Sequence, residues 1–173
     1  MRYLDQALEA YGKSDVYPFH MPGHKRQKTV DFNPYKIDIT EIEGFDNLHH
    51  AEGVLLEAQK KAEKLYGSEE SHFLINGSTA GILSAVSACA KKTVLIARNC
   101  HKAVYHAALI RNLDVYYVYP EIQEEFMLNG GINPADVERS LEEHPEIEAV
   151  VITSPTYDGI VSDVKRIAEI AHA

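Results

Sequence analysis

Apolar and polar positions follow two different regimes along the chain. From residue 51 onward, Ala51, Leu55, Ala58, Ala62 and Leu65 recur at alternating steps of four and three, the spacing of one helical face, and Gly67 is placed to close that helix. The pattern then switches between short β-prone runs and helical stretches. Strands are predicted over 72–75, 93–97, 115–119 and 148–153, and helices over 78–90, 101–111, 134–144 and 161–172, with Asn129-Gly130-Gly131 as a turn and Pro134 at a helix start. Strands that alternate with helices imply parallel pairing through right-handed crossovers, hence an α/β unit with a parallel sheet over 51–173. Residues 1–50 lack this order. Leu4, Ala7, Leu8 and Tyr11 predict a short amphipathic helix ended by Gly12, after which Pro18, Pro22, Gly23, Asn33 and Pro34 interrupt any period, so this segment is predicted to be an N-terminal arm with entrance loops.

Composition narrows the function classes. With 17 basic against 26 acidic residues and a formal charge of −9, the chain has no basic stripe to track a phosphate backbone, which argues against nucleic acid as a partner. The longest apolar runs, such as 149–152, are strand-sized, and the N-terminus lacks the apolar core of a signal peptide, so no membrane association and a cytoplasmic location are expected. Two cysteines, Cys89 and Cys100, are too few for a disulfide framework.

Three turns carry the candidate chemistry, each following a β-prone run and opening a helical pattern: Asn76-Gly77-Ser78-Thr79-Ala80-Gly81, Arg98-Asn99-Cys100-His101-Lys102 and Thr153-Ser154-Pro155-Thr156-Tyr157-Asp158-Gly159. All three are expected on the edge of a parallel sheet where α/β proteins collect ligands. Gly77 lets the backbone approach a ligand, and Ser78 and Thr79 add hydroxyls and amides at a helix start that favours an anion. The same residues also read as a plain serine N-cap. His101, just past a strand end, is suited to stack on a planar heteroaromatic ring or to serve structurally. Lys102 is expected in solvent rather than as a nucleophile. His20 and His24 have the spacing of a helical zinc pair, but Pro22 and Gly23 between them oppose a helix, and His49-His50 cannot easily converge on one ion, so no metal site is expected. The acidic residues Asp38, Glu41, Glu43 and Asp46 read either as a solvated loop or as recognition of a cationic group.

Taken in order, Phe19-His20-Met21-Pro22-Gly23-His24-Lys25, the run from Asp38 through Glu43-Gly44-Phe45-Asp46 to Leu48, and the three turns resemble the bacterial ornithine/lysine/arginine decarboxylases over nearly the whole chain. The resemblance implies an α/β fold of the aspartate aminotransferase type. Residues 51–173 would form the N-terminal part of its pyridoxal-phosphate-binding large domain, with a partial parallel sheet. It implies further that Gly77, Ser78 and Thr79 hold the phosphate of pyridoxal 5'-phosphate, that His101 stacks on the pyridine ring, and that Thr156 lies near the cofactor's edge. Glu43 and Asp46 match the motif at the family's active-site entrance, where a carboxylate would meet the distal cation of a basic amino-acid substrate. A homodimer or higher homo-oligomer is implied as well.

One departure bears on activity. In the family, the aspartate that pairs with the pyridine nitrogen and the Schiff-base lysine of a Ser-x-His-Lys motif lie beyond the Pro-Thr-Tyr-Asp-Gly turn and the helix after it, and no Ser-x-His-Lys occurs in these 173 residues. The expectation is therefore the N-terminal portion of a decarboxylase, inactive alone, with an open sheet edge and an uncovered apolar face. The alternatives are a short phosphate-ligand-binding or partner subunit without catalysis, and another pyridoxal-phosphate enzyme of the same fold, an aminotransferase or lyase.

Overall fold

The computed structural model describes residues 4–17, 19, 31, 33–36 and 38–173. They divide into two compact units, 1–70 and 71–173, whereas the sequence pattern suggests a boundary at 50/51.

In the first unit, helix α1 (Leu4–Gly12) forms where the amphipathic period predicts it, and α2 (Val54–Tyr66) follows two short 3-10 turns at Pro34–Lys36 and Leu48–His50. Gly67 ends α2 in the left-handed region at φ 66°, and its N–H donates to the Glu63 carbonyl. This is the glycine closure expected from the sequence. The apolar face departs from expectation at one end. Leu55, Ala58 and Ala62 are partly buried, but Leu65 is 78% exposed, and Gln59 is the buried residue of the helix.

The second unit is built on a three-stranded parallel sheet of order β2-β1-β5, from β1 (Thr93–Ala97), β2 (Asp114–Val118) and β5 (Val150–Val151). Every residue of the central strand β1 is buried, as a near-continuous apolar run in a parallel sheet should be. Leu95 faces Tyr116 on one side and Val150 on the other in the ladder. Helix α3 (Gly77–Cys89) packs against α4 (Lys102–Arg111), and α5 (Pro134–Glu143) against α6 (Val164–Ala171). Val86, Ala90, Val104, Ala107, Ala108, Val137 and Ile167 bring these helices into one core with β1.

Two strand expectations are corrected, and one element is new. Residues 72–75 form no strand, and Phe73, Leu74 and Ile75 are exposed, because the segment joins neither sheet among the described residues and β-propensity alone supplies no ladder. The strand expected over 148–153 contracts to Val150–Val151, paired with β1 and, among the described residues, with nothing on its other side. A small antiparallel hairpin, β3 (Ile122–Gln123) and β4 (Leu128–Asn129), stands before the turn expected at Asn129-Gly130-Gly131.

The amino end of β1 is held by one side chain. The Glu148 carboxylate accepts from the backbone N–H of Lys91, Lys92 and Thr93 at 2.6, 2.7 and 3.3 Å. These donors, Lys92 first, hold its pKa below the ordinary glutamate value of 4.5. A depressed carboxylate pKa stabilises the fold above the unfolded-state value, and that stabilisation disappears as pH falls through the folded one. Glu148→Gln should therefore lower the urea midpoint at about pH 6 and do so much less at about pH 3. An equal gap at both pH values would show that the charge is not what the three donors require.

Candidate functional site

The carboxyl end of β1 is locked by short-range bonds. The Arg98 N–H donates to the Val118 carbonyl at 2.8 Å, and the Cys100 N–H to the Ala97 carbonyl at 2.9 Å. His101 then caps α4: its backbone is extended and its Nδ1 accepts from the Ala103 N–H at 3.2 Å. The capping role was open to sequence reading, since His101 was placed at the helix start. The imidazole borders a cavity of about 500 Å3 shared with Ile82, Val86, Val104, Val151, Thr153 and Ser154. The walls are mainly aliphatic, with His101, Thr153 and Ser154 as the polar groups, the composition of a small-molecule site.

Cys100 lies behind this wall. Its Sγ is 3.5 Å from both the Val151 carbonyl and the Thr153 hydroxyl, which ties the β1 end to the segment after β5. Burial pushes the Cys100 thiol up, so it remains protonated and acts as a small packing group rather than a nucleophile. Nothing in the local sequence marks this bridge, because its partners lie over fifty residues away.

Gly77, Ser78 and Thr79 form the first turn of α3 and are exposed. Gly77 has φ 68°, a left-handed conformation costly for other residues, and a Cβ there would meet nothing within 4 Å. Asn76 occupies the N-cap position but makes no side-chain cap bond. The first-turn amides of α3 therefore remain available to an outside acceptor. Ser78 and Thr79 are not among the residues lining the cavity that His101 borders.

Thr156 is buried and engaged within its own loop. Its N–H donates to the Ile160 carbonyl at 2.8 Å and its Oγ1 accepts from the Ile160 N–H at 3.1 Å. Ser154 Oγ accepts from the Ser162 N–H at 3.0 Å, and Ser162 Oγ from the Ile132 N–H at 2.9 Å. The loop after β5 is thereby sewn to the approach of α5. Thr153, Ser154 and Pro155 reach the cavity, while Thr156 does not line it.

In the first unit, Glu43 is exposed, and Asp46 has a structural engagement that the acidic pattern did not reveal. Its Oδ1 accepts from the N–H groups of Asn47 and Glu52, and its Oδ2 from those of Gly53 and Leu55, at 2.8 to 3.0 Å. Gly53, at the N-cap of α2, has no side chain to satisfy the helix start, so Asp46 caps it from outside. These donors, Glu52 first, hold the Asp46 carboxyl well below the usual carboxylate range. Asp46 thus serves the backbone of its own unit, and Glu43 is the carboxylate of the pair left facing solvent.

Lys102 is exposed, as expected. The His50 Nε2 lies 2.9 Å from Glu52 Oε1 at the surface, while His20 and His24 lie outside the described residues. Among the described residues no group of three or more His, Cys, Asp or Glu side chains is placed to hold a metal ion, and no helix is long and apolar enough to cross a membrane.

Comparison with known proteins places this arrangement. The family model "Orn/Lys/Arg decarboxylase, major domain" matches residues 3–173. The uncharacterized protein YaaO of Bacillus subtilis is 37% identical over 98% of this chain and 37% of its own length. An arginine decarboxylase of Bacillus cereus is 32% identical over 98% of this chain and 39% of its own. The inducible lysine decarboxylase of Escherichia coli is 30% identical over 91% and 25%. Among solved structures, the E. coli constitutive lysine decarboxylase superposes with a TM-score of 0.67 at 26% identity, covering 96% of this chain and 27% of that one. The chain thus spans between 25% and 39% of the length of these curated relatives.

Proposed function

Because this chain belongs to the Orn/Lys/Arg decarboxylase family, we propose that it is the N-terminal part of a pyridoxal-phosphate-dependent decarboxylase of ornithine, lysine or arginine, and that alone it holds the cofactor without turning over substrate. The observation that carries this reading is the uncapped first turn of α3 at Gly77, Ser78 and Thr79, taken with His101 on the lining of a mainly aliphatic cavity. These residues fit the group: amides and hydroxyls without an internal cap suit a phosphate, and a capped, fixed imidazole suits a flat ring. When bound, pyridoxal phosphate supplies the electron sink for loss of carbon dioxide.

The chain's own residues bind and orient. Gly77, Ser78 and Thr79 would donate to the phosphate, and His101 would lie against the ring. The aliphatic wall of Ile82, Val86 and Val151 limits water on one side of the site, and Thr156 holds the loop that carries Thr153 and Ser154 to the cavity. Within the first unit, Glu43 is the carboxylate open to a cationic group, on a loop that Asp46 anchors.

The test is equilibrium dialysis of the chain against pyridoxal phosphate, with carbon dioxide release measured on ornithine, lysine and arginine. The expected result is retained cofactor, weakened by His101→Ala, an absorbance spectrum indifferent to Lys102→Ala, and no carbon dioxide. Failure to retain the cofactor would overturn the binding assignment. Carbon dioxide release that Lys102→Ala abolishes would overturn both the inactivity and the solvent role of that lysine.

A further inference from the structure

A second concavity, of about 270 Å3, opens beyond the ends of β1 and β2 and is lined by Arg98, Asn99, Tyr119, Pro120, Ile122 and Asn129. Its chemistry is one-sided: a guanidinium, two carboxamides and apolar surface, with no carboxylate among the lining residues. Arg98 is fixed before any ligand arrives. Its Nη1 donates to the Tyr105 hydroxyl at 2.8 Å, and that hydroxyl donates back to the Arg98 carbonyl at 2.8 Å. The guanidinium carbon also stands 5.3 and 5.4 Å from the ring centres of Tyr105 and Tyr117, which favours a cation over their faces. No acidic side chain among the described residues pairs with it. A guanidinium has five N–H donors, so most of the fork is left to serve an outside acceptor.

The carboxamides add a second observation. Neither the Asn99 nor the Asn129 side chain bonds to another described residue, and the Asn99 Oδ1 is buried without a partner. Buried polar atoms are seldom left this way unless the site has another purpose. Tyr119 and Ile122 are exposed beside them and offer a surface for a flat or aliphatic body. A clamped, unpaired arginine flanked by unbonded amides and an apolar shelf, at the carboxyl end of parallel strands, is suited to a small organic oxyanion.

We propose that this concavity binds a small organic oxyanion, a carboxylate or a phosphate monoester, whose charged head meets Arg98 and whose body lies on Tyr119 and Ile122. The site is distinct from the cavity that His101 borders, and Arg98 and Asn99 connect it along the chain to Cys100 and His101.

The experiment is calorimetric titration of the chain with benzoate, phenyl phosphate and inorganic phosphate, on wild type and on Arg98→Gln, Asn129→Ala, Tyr119→Ala and the Ser78→Ala, Thr79→Ala double variant. Benzoate should bind the wild type at least tenfold more tightly than Arg98→Gln and severalfold more tightly than Asn129→Ala or Tyr119→Ala, with the double variant unchanged, and phenyl phosphate should show the same losses when each change is made in the double-variant background. In the double variant, tighter benzoate would identify carboxylates as the ligand class, and tighter phenyl phosphate would identify phosphate monoesters. If Arg98→Gln does not fold, Asn129→Ala and Tyr119→Ala decide, because neither side chain takes part in the arginine clamp. Equal binding by wild type and these variants, binding lost only in the double variant, or heat in the double variant as large from inorganic phosphate as from phenyl phosphate would each overturn the proposal.

Discussion

Leu95→Ala should destabilise the 71–173 unit by about 2–5 kcal/mol, the usual cost of removing a large aliphatic side chain from a core that cannot collapse around the gap. Leu95 has no exposed surface and stands at the centre of the middle strand, so neighbours on both sides are fixed by ladder pairing to Tyr116 and Val150. Net stabilities of single domains are about 5–15 kcal/mol, so this one change removes a large share of the total. Urea denaturation followed by far-ultraviolet circular dichroism measures it. A loss below about 1 kcal/mol would mean that the packing around β1 relaxes, contrary to a close-packed centre.

The second large effect is on the phosphate binding proposed for the first turn of α3. Removing both hydroxyls in the Ser78→Ala, Thr79→Ala variant should weaken phosphate binding by roughly 1–3 kcal/mol, the worth of hydrogen bonds to a charged group, while the first-turn amides of α3 remain. Both residues are exposed, so the fold should survive the change and the loss should appear in affinity alone. Affinity for pyridoxal phosphate left unchanged in the double variant would reduce Ser78 and Thr79 to ordinary first-turn residues.

Much of both units was legible because the signals are local. The run Thr93-Val94-Leu95-Ile96-Ala97 is apolar at every position and became β1 with the expected bounds, and Pro134 and Gly67 marked a helix start and a helix end through backbone chemistry that needs no distant partner. What failed depended on pairing. Residues 72–75 have the β-propensity of a strand, but propensity supplies no ladder, and the segment joins neither sheet among the described residues. The strand expected over 148–153 loses its far end for the same reason, since no ladder pair with β1 follows Val151, while Glu148 and Ala149 still bond to the Thr93 and Leu95 backbone.

For the candidate site, the motifs located the turns but not the duties of the side chains within them. His101 was found at its helix start. The engagement of Thr156 with Ile160 and the capping of α2 by Asp46 were not foreseen, because each depends on loop geometry rather than spacing. Arg98 was noted only as part of a motif. Its clamp is made by Tyr105, seven residues on, and by Tyr117 on the neighbouring strand, a relation visible only after β1 and β2 pair in register.

The stitching of the loop after β5 sets where this chain can change length. Thr156 and Ile160 bond reciprocally, Ser154 holds Ser162, and Ser162 holds Ile132, so the span between those anchors has a fixed residue count. An insertion between Thr156 and Ile160 would open the reciprocal pair and shift Thr153 and Ser154 along the cavity wall, even though Tyr157, Asp158 and Gly159 are themselves exposed. The tip of the β3–β4 hairpin, residues 124–127, is equally exposed but closes only its own short ladder, and loop-closure entropy grows slowly with added length. Insertions and deletions among relatives should therefore gather at the hairpin tip, while the span from Thr156 to Ile160 tolerates exchange of side chains but not of length.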